Sequence, residues 1–146
     1  MVIKELNTLS GQAAKDLLSL MAVLDSTVPV TVENLQEAVR DPGTHLFVAV
    51  EETEVPEGRI LGTASLCVTH HPLGRKGGIE DVVVSPEAQG KHIGRRLMEH
   101  IIDYARRELS PIELHLTSRP SREAANRLYQ AIGFRQHQTN VYKLEL

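Results

Sequence analysis

The apolar residues of this chain fall into blocks whose spacing separates strands from helices. Alternation of apolar and polar positions, or short apolar runs bounded by turn residues, predicts strands. The first, over Val2–Leu6, alternates weakly and is expected at an edge. The remaining predicted strands are Thr44–Val50, Arg59–Thr69, Ile79–Val84, Ile112–Thr117, Phe134–His137 and Thr139–Leu146.

Apolar residues that recur every three to four positions predict four helices. The first covers Ser10–Leu24, with Ser10 as its N-cap. Thr31 is expected to cap the second, which runs through Val39 to the turn at residues 41–43. The third extends from about Gly90 to Leu109, and Ser121 is expected to cap a short fourth helix that ends near Gly133.

The predicted order is βααβββαβαββ, which indicates an α+β (α/β) fold. We expect a mixed, mostly antiparallel sheet of six to seven strands, flanked by about four helices. Glu51–Gly58 is predicted to connect a hairpin, and His70–Gly78, which holds Pro72 and three glycines, is predicted to be a loop. The length of 146 residues and the lack of repeats or linkers predict one domain, 1–146.

Composition narrows the functional classes. Aromatic residues make up 3% of the chain and Trp is absent, which disfavours stacking on nucleic-acid bases. The single cysteine, Cys67, cannot form an internal disulfide, and a cytoplasmic location is the simplest expectation. We expect neither a signal peptide nor a membrane-spanning helix. Residues 1–58 carry ten acids and three bases (net −7), whereas residues 59–146 carry nine and thirteen (net +4).

The stretch Gly78–Met98 combines an apolar strand, a Ser-Pro turn, a glycine-bracketed loop and the start of a helix. The first turn of a helix carries backbone N–H groups without intrahelical partners and a partial positive charge. Gly90 and Gly94 allow a ligand to approach the backbone, and Lys91, Arg95 and Arg96 add positive charge. The pattern therefore predicts an anion site.

This stretch and Asn126–Phe134 resemble the GCN5-related N-acetyltransferase (GNAT) superfamily, which transfers an acetyl group from acetyl-coenzyme A to an amine. The pyrophosphate loop of that superfamily is Arg/Gln-x-x-Gly-x-Gly/Ala, and the chain has Gln89-Gly-Lys-His-Ile-Gly94, with His92 in place of a glycine. The strand sequence Gly78-Ile-Glu-Asp-Val-Val-Val locally resembles that of glucosamine-6-phosphate N-acetyltransferases.

The resemblance implies where coenzyme A binds. Its pyrophosphate would lie on backbone N–H groups from Gly90 to Arg95, and its pantetheine amides would pair with the strand at Val82–Val84 like an added strand. Asn126 resembles the residue that contacts the pantetheine arm or its phosphate end. The implied cofactor-binding residues, with no metal, are Val82, Val83, Val84, Gln89, Gly90, Lys91, His92, Ile93, Gly94, Arg95 and Asn126.

The chemistry requires a base, because an alkylammonium with a pKa of about 10.4 is almost fully protonated at neutral pH. Glu80 is the predicted catalytic base, and Asp81 is predicted to bind the substrate. Strand alternation would send these two carboxylates to opposite faces unless a bulge intervenes. Tyr129 occupies the position of the acid that protonates the leaving thiolate. Structural roles remain open: Glu80 paired with a basic side chain, and Tyr129 as a core aromatic.

Four histidines and one cysteine carry side chains that are suited to similar chemistry. His70, His71, His115 and His137 are each able to act as a base near neutral pH, although isolated histidines are more often loop or surface residues. Their spacing fits no metal motif. Cys67 lacks an identifiable His–acid partner, and direct attack of an amine on a thioester needs no covalent intermediate.

The sequence thus predicts an acetyl-coenzyme A-dependent N-acetyltransferase that acts on a primary amine of a small molecule or peptide. The alternative is a non-catalytic acyl-coenzyme A sensor or interaction module on the same fold. The expected partner is the amine acceptor, with neither nucleic acid nor membrane. Dimerisation through the last strands is common in the superfamily, so a homodimer is possible.

Overall fold

The computed structural model describes residues 1–54 and 56–146, so Val55, within the predicted Glu51–Gly58 connection, lies outside the described residues. Two compact units are present, Met1–Leu116 and Thr117–Leu146. The prediction of one domain remains a prediction.

The first unit holds five strands within the described residues, in the order β1-β2-β3-β4-β5 across one sheet. The first three pairings are antiparallel and β5 runs parallel to β4. The strands are β1 Val2–Glu5, β2 Thr44–Glu51, β3 Arg59–His71, β4 Gly74–Val84 and β5 Glu113–His115. The predicted mostly antiparallel sheet and the edge position of the first strand are confirmed, with fewer strands than predicted.

Three helices belong to this unit: α1 Gly11–Leu24, α2 Val32–Arg40 and α3 Ile93–Tyr104. The predicted caps are confirmed, because the Ser10 hydroxyl accepts from the Ala13 N–H at 3.1 Å and Thr31 forms a capping box with Asn34. The third helix begins at Ile93 rather than Gly90, because the backbone before it is left-handed. A 3₁₀ turn, Pro86–Ala88, precedes α3, and a π-helical turn, Ala105–Leu109, follows it.

The sheet carries apolar side chains on both faces. On one face, Leu46 and Val48 of β2 and Val83 of β4 join a core cluster with the buried side of α1, including Leu17. On the other face, α3 packs closely: a Cβ on Gly62 would lie 3.2 Å from Ile93 Cγ2 and 3.3 Å from Leu97 Cδ1. This two-sided burial explains why Leu46–Val50 reads as a continuous apolar run.

The predicted loop His70–Gly78 is wrong. His71 pairs with Gly74, so β3 and β4 form a hairpin in which only Pro72 and Leu73 connect the strands. The glycines reflect packing instead of a loop: a Cβ on Gly77 would lie 2.7 Å from Leu114 Cδ2 and 3.0 Å from Leu66 Cδ1.

The second unit contains α4, Glu123–Ala131. Gly133 ends it as predicted, with φ of 108°; its N–H donates to the Gln130 carbonyl at 3.2 Å, and the Phe134 N–H donates to the Tyr129 carbonyl at 2.9 Å. The predicted Ser121 cap is wrong, because Arg122 precedes the first helical residue and makes no side-chain cap bond.

The predicted strands Phe134–His137 and Thr139–Leu146 are also wrong. Residues 134–146 carry no strand assignment, and the tail side chains of Val141, Tyr142, Leu144 and Leu146 are exposed. Alternation alone does not make a strand, because a strand requires a hydrogen-bonded neighbour.

Candidate active site

Strand β4 separates from its parallel neighbour halfway along its length. Among the described residues, β5 pairs with β4 only at Lys76–Gly78, and its last pair joins Gly78 to His115. β4 then continues to Val84, paired with β3 on its other side. The predicted pantetheine strand, Ile79–Val84, therefore starts where the two parallel strands part.

A β-bulge lies at the same point. Ser65 pairs with Glu80 but Thr63 pairs with Val83, so two residues of β4 lie opposite one residue of β3. Asp81, one of the two, has φ of 52°, in the left-handed region that Asp tolerates better than most residues. The bulge that was left open from the sequence is thus present, and simple alternation does not describe the Glu80–Asp81 pair.

Glu80 is exposed and electrostatically perturbed. Partial burial, followed by the negative charge of Asp81, raises the pKa of the Glu80 carboxyl above its usual value. A higher pKa makes the ionised carboxylate a stronger base. Its Oε1 atom leans over Gly78, 3.7 Å from the position that a Cβ of that glycine would occupy.

Cys67 shares this environment. It pairs with Thr44 on one side and Gly78 on the other, in the middle of the sheet. Burial raises the pKa of its thiol, as do the charges of Glu80, Asp81 and Asp41, while a hydrogen bond with Thr44 opposes them. A thiol kept neutral is a poor nucleophile, which agrees with the sequence-based argument against covalent catalysis. The three carboxylates instead give the surroundings of Cys67 a negative character that favours a cation.

The predicted phosphate loop has an unusual backbone. Gly90 has φ of 82° and His92 has φ of 60°, so two of its residues are left-handed. His92 is the N-cap of α3 and makes no side-chain cap bond. The first intrahelical bond runs from the Arg96 N–H to the His92 carbonyl at 3.0 Å. The N–H groups of Ile93, Gly94 and Arg95 therefore precede the intrahelical ladder, as an anion site requires.

The long basic side chains of this segment are of a kind that binds anions, although two of them have protein partners. Arg95 Nε donates to Glu99 Oε1 at 2.8 Å, and Arg96 donates to the Met1 carbonyl at 3.4 Å. Lys91 and Gln89 are exposed. Arg95 is therefore paired with an acid one helical turn away. The backbone N–H groups are then the part of the loop best suited to bind an anion.

Tyr129 and Asn126 lie on α4 in the second unit. Tyr129 is 5% exposed and packs edge-on against Phe134, with ring centroids 6.3 Å apart. Burial raises the pKa of its phenol, and Arg122 partly offsets this effect. The phenol is thus protonated at neutral pH, as a catalytic acid must be. It is also buried, as a core aromatic would be, so both roles stay open. The Asn126 amide donates to the Arg119 carbonyl at 3.0 Å, which leaves its oxygen as the group for a ligand.

Two features escaped the sequence analysis. The effect of Asp41 on the pKa of Cys67 depends on the antiparallel pairing of β2 with β3, and no local sequence pattern indicates it. The strand fork depends on β5 being three residues long, whereas its apolar alternation predicted Ile112–Thr117.

Comparison with known proteins agrees with this geometry. Residues 13–134 match the model of the Acetyltransferase (GNAT) family. A glucosamine 6-phosphate N-acetyltransferase of Arabidopsis thaliana is 32% identical over 98 residues, 63% of this chain and 65% of that protein. One of Trypanosoma brucei brucei is 32% identical over 91 residues, 59% of this chain and 58% of that protein. The chain thus spans less than two thirds of the length of these curated relatives.

Among solved structures, the glucosamine-6-phosphate N-acetyltransferase of Arabidopsis thaliana superposes with a TM-score of 0.75 at 23% identity, covering 99% of each chain. The superposition shows the same fold. Because the family model covers residues 13–134, well over half of the chain, the chain belongs to the GNAT acetyltransferase family. The predicted family is confirmed. No helix of the described residues is long and apolar enough to cross a membrane.

Proposed function

We propose that this protein is an N-acetyltransferase that uses acetyl-coenzyme A as acyl donor and acetylates a primary amine. The observation that carries the proposal is the position of Glu80, at the bulge where β4 parts from β5 and ahead of the loop that leads into α3. Family membership supports the same reaction.

In this proposal, the cofactor binds along β4 and its loop. The pyrophosphate of coenzyme A lies on the N–H groups between Gly90 and Arg95, with Gln89, Lys91 and His92 around it. The pantetheine lies along Val82–Val84. The Asn126 oxygen contacts the pantetheine arm or its phosphate end.

The residues of the chain divide the proton transfers. Glu80 removes a proton from the bound ammonium and Asp81 helps to hold it, so that the neutral amine attacks the acetyl carbonyl. The C–N bond forms and the C–S bond breaks. Tyr129 gives its proton to the coenzyme A thiolate, a transfer between groups of similar basicity.

The acceptor is a cation at the site, which suits the three carboxylates around Cys67. Glucosamine 6-phosphate is the first candidate, since two relatives carry that substrate in their names. A polyamine, an amino-sugar antibiotic and a lysine side chain are the others. A homodimer remains a prediction.

The test is thiol release from acetyl-coenzyme A over a panel of these amines, with the N-acetyl product identified by mass spectrometry. Glu80→Gln serves as the matched variant, because it keeps the shape of the side chain without its charge. Release above background with at least one amine, reduced in Glu80→Gln, is expected. Tight binding of coenzyme A with no release for any amine would support the sensor alternative.

A further inference from the structure

His115 stands at the fork between the two parallel strands. It is the last residue of β5, and it pairs with Gly78, the last residue of β4 to have β5 as a neighbour. Residues paired across neighbouring strands point to the same face of a sheet, and so do residues two apart on one strand. Because Glu80 follows Gly78 by two, Glu80 and His115 share a face.

Contacts around the two glycines support this assignment of faces. A Cβ on Gly77 would meet the side chains of Leu66 and Leu114, which places those two on the opposite, apolar face. A Cβ on Gly78 would instead meet Glu80 Oε1 at 3.7 Å and the Cys67 carbonyl at 3.9 Å. Gly78 therefore forms an open floor, with the Glu80 carboxylate leaning over it and His115 beside it.

Strand geometry sets the spacing of the two side chains. Neighbouring strands lie about 4.8 Å apart and rise about 3.3 Å per residue, so the Cβ atoms of Glu80 and His115 are roughly 8 Å apart. At this spacing, a bridging water is the simplest link for a proton between the two side chains.

Glu113 defines which imidazole nitrogen is available. His115 Nε2 lies 3.3 Å from Glu113 Oε1, and the imidazole is half-exposed. A proton on Nε2 faces that carboxylate, which leaves Nδ1 with the lone pair. The other titratable or charged groups of the neighbouring strands are Arg75, Lys76, Glu80 and Asp81 of β4 and Arg59, Cys67, His70 and His71 of β3. Lys76 lies directly beside Glu113.

We propose that His115, oriented by Glu113, carries the amine proton from Glu80 to solvent, an inference that rests on the acetyl transfer proposed above. The ammonium gives its proton to the Glu80 carboxylate, and the resulting carboxylic acid passes a proton through a bridging water to Nδ1 of the neutral His115. The imidazolium that forms is paired with Glu113 and releases the proton to water at its exposed side. Glu80 is then ionised again for the next acceptor.

Steady-state kinetics test the relay with His115→Gln, Glu80→Gln and the double variant. His115→Gln should lower kcat about 10- to 100-fold near neutral pH, within the lower range for proton-transfer groups, and leave the KM for acetyl-coenzyme A unchanged. Because the two residues act in series, the double variant should be no slower than the slower single variant. Added imidazole should restore turnover to His115→Ala. His70→Gln, on the opposite face of β3, is the control and should behave like the parent.

A second measurement does not need turnover. The imidazole nitrogen resonances of His115, followed by NMR against pH, should shift their titration toward lower pH in Glu80→Gln, because the variant lacks a negative charge that favours the imidazolium. Glu99→Gln on α3 should leave the curve unchanged. If the parent protein releases no thiol, the proposed acetyl transfer is wrong. The titration still shows whether Glu80 and His115 interact. An unresponsive His115 titration, or full multiplicative effects of the two substitutions on kcat, would overturn the relay.

Discussion

At the scale of single residues, His92 holds a strained backbone conformation in the predicted phosphate loop. Its φ of 60° is the conformation in which glycine has no steric penalty. The superfamily motif that this loop resembles has glycine at that position. A residue with a Cβ pays roughly 1–2 kcal/mol in this region, whereas glycine costs up to about 1 kcal/mol more chain entropy on folding.

We therefore expect His92→Gly to raise the free energy of unfolding by between zero and about 1 kcal/mol, measured in urea. His92→Val is the matched control and should destabilise by more than about 1 kcal/mol, because a β-branched residue is least tolerated there. Cofactor affinity should be kept in the glycine variant. A glycine variant clearly less stable than the parent would show that the His92 side chain contributes contacts that outweigh the strain.

Tyr129 has two candidate roles, catalytic acid and core aromatic, and only the first needs its hydroxyl group. Tyr129→Phe keeps the ring that packs on Phe134 and removes only the hydroxyl. If the phenol protonates the thiolate, turnover should fall roughly ten- to a thousandfold with cofactor affinity unchanged. Unchanged turnover would assign Tyr129 to the core alone.

For Glu80, activity and stability should respond in opposite directions. Its raised pKa means that the folded state disfavours the charged form, so its stabilising contribution is present below the unfolded pKa and is lost as pH rises through the folded pKa. Glu80→Gln should therefore be slightly more stable than the parent at neutral pH and equal to it in acid. The same variant should flatten the acidic limb of the pH–rate profile. A limb that persists would point to His115 or to the free amine as the titrating species.

At the scale of elements, two adjacent glycines of β4 have different roles: one allows close packing, and the other lies beside the proposed catalytic carboxylate. Gly77→Ala places a methyl group 2.7 Å from Leu114 Cδ2 and 3.0 Å from the fully buried Leu66, so it should destabilise by about 1–3 kcal/mol. Gly78→Ala makes only ordinary contacts, the nearest at 3.7 Å to Glu80 Oε1. It should unfold like the parent yet lower kcat, because its methyl group occupies the floor beside the carboxylate. Equal losses of stability in the two variants would contradict this division.

The same strand shows what the sequence could predict and what it could not. The strand Ile79–Val84, the position of Glu80 and the presence of a helix after the glycine loop follow from local pattern and capping chemistry. The hairpin at Pro72–Leu73 was predicted as a loop, because Gly77 and Gly78 resemble breakers until Leu66 and Leu114 are seen to need the space. The bulge at Asp81 was left open, because its register is defined by β3, a strand distant in the sequence.

At the scale of the whole molecule, the first unit carries Glu80, the phosphate loop and His115, and the second carries Tyr129 and Asn126. The second unit, residues 117–146, is shorter than about 40 residues, the size below which a segment without disulfides or metals seldom folds alone. Its helix α4 has nine residues, which is also short for an isolated helix in water.

We therefore expect the chain to unfold as the single domain that its length predicts. Amide hydrogen exchange in increasing denaturant should give α3 and α4 the same free energy of global opening, and circular dichroism should show one coincident transition. The peptide 117–146 alone should be unfolded. A fragment that ends at Leu116 should not bind this peptide as a stable, separately folded partner. Two separate transitions, with α4 opening well before α3, would instead mean that Tyr129 is supplied by a unit of independent stability.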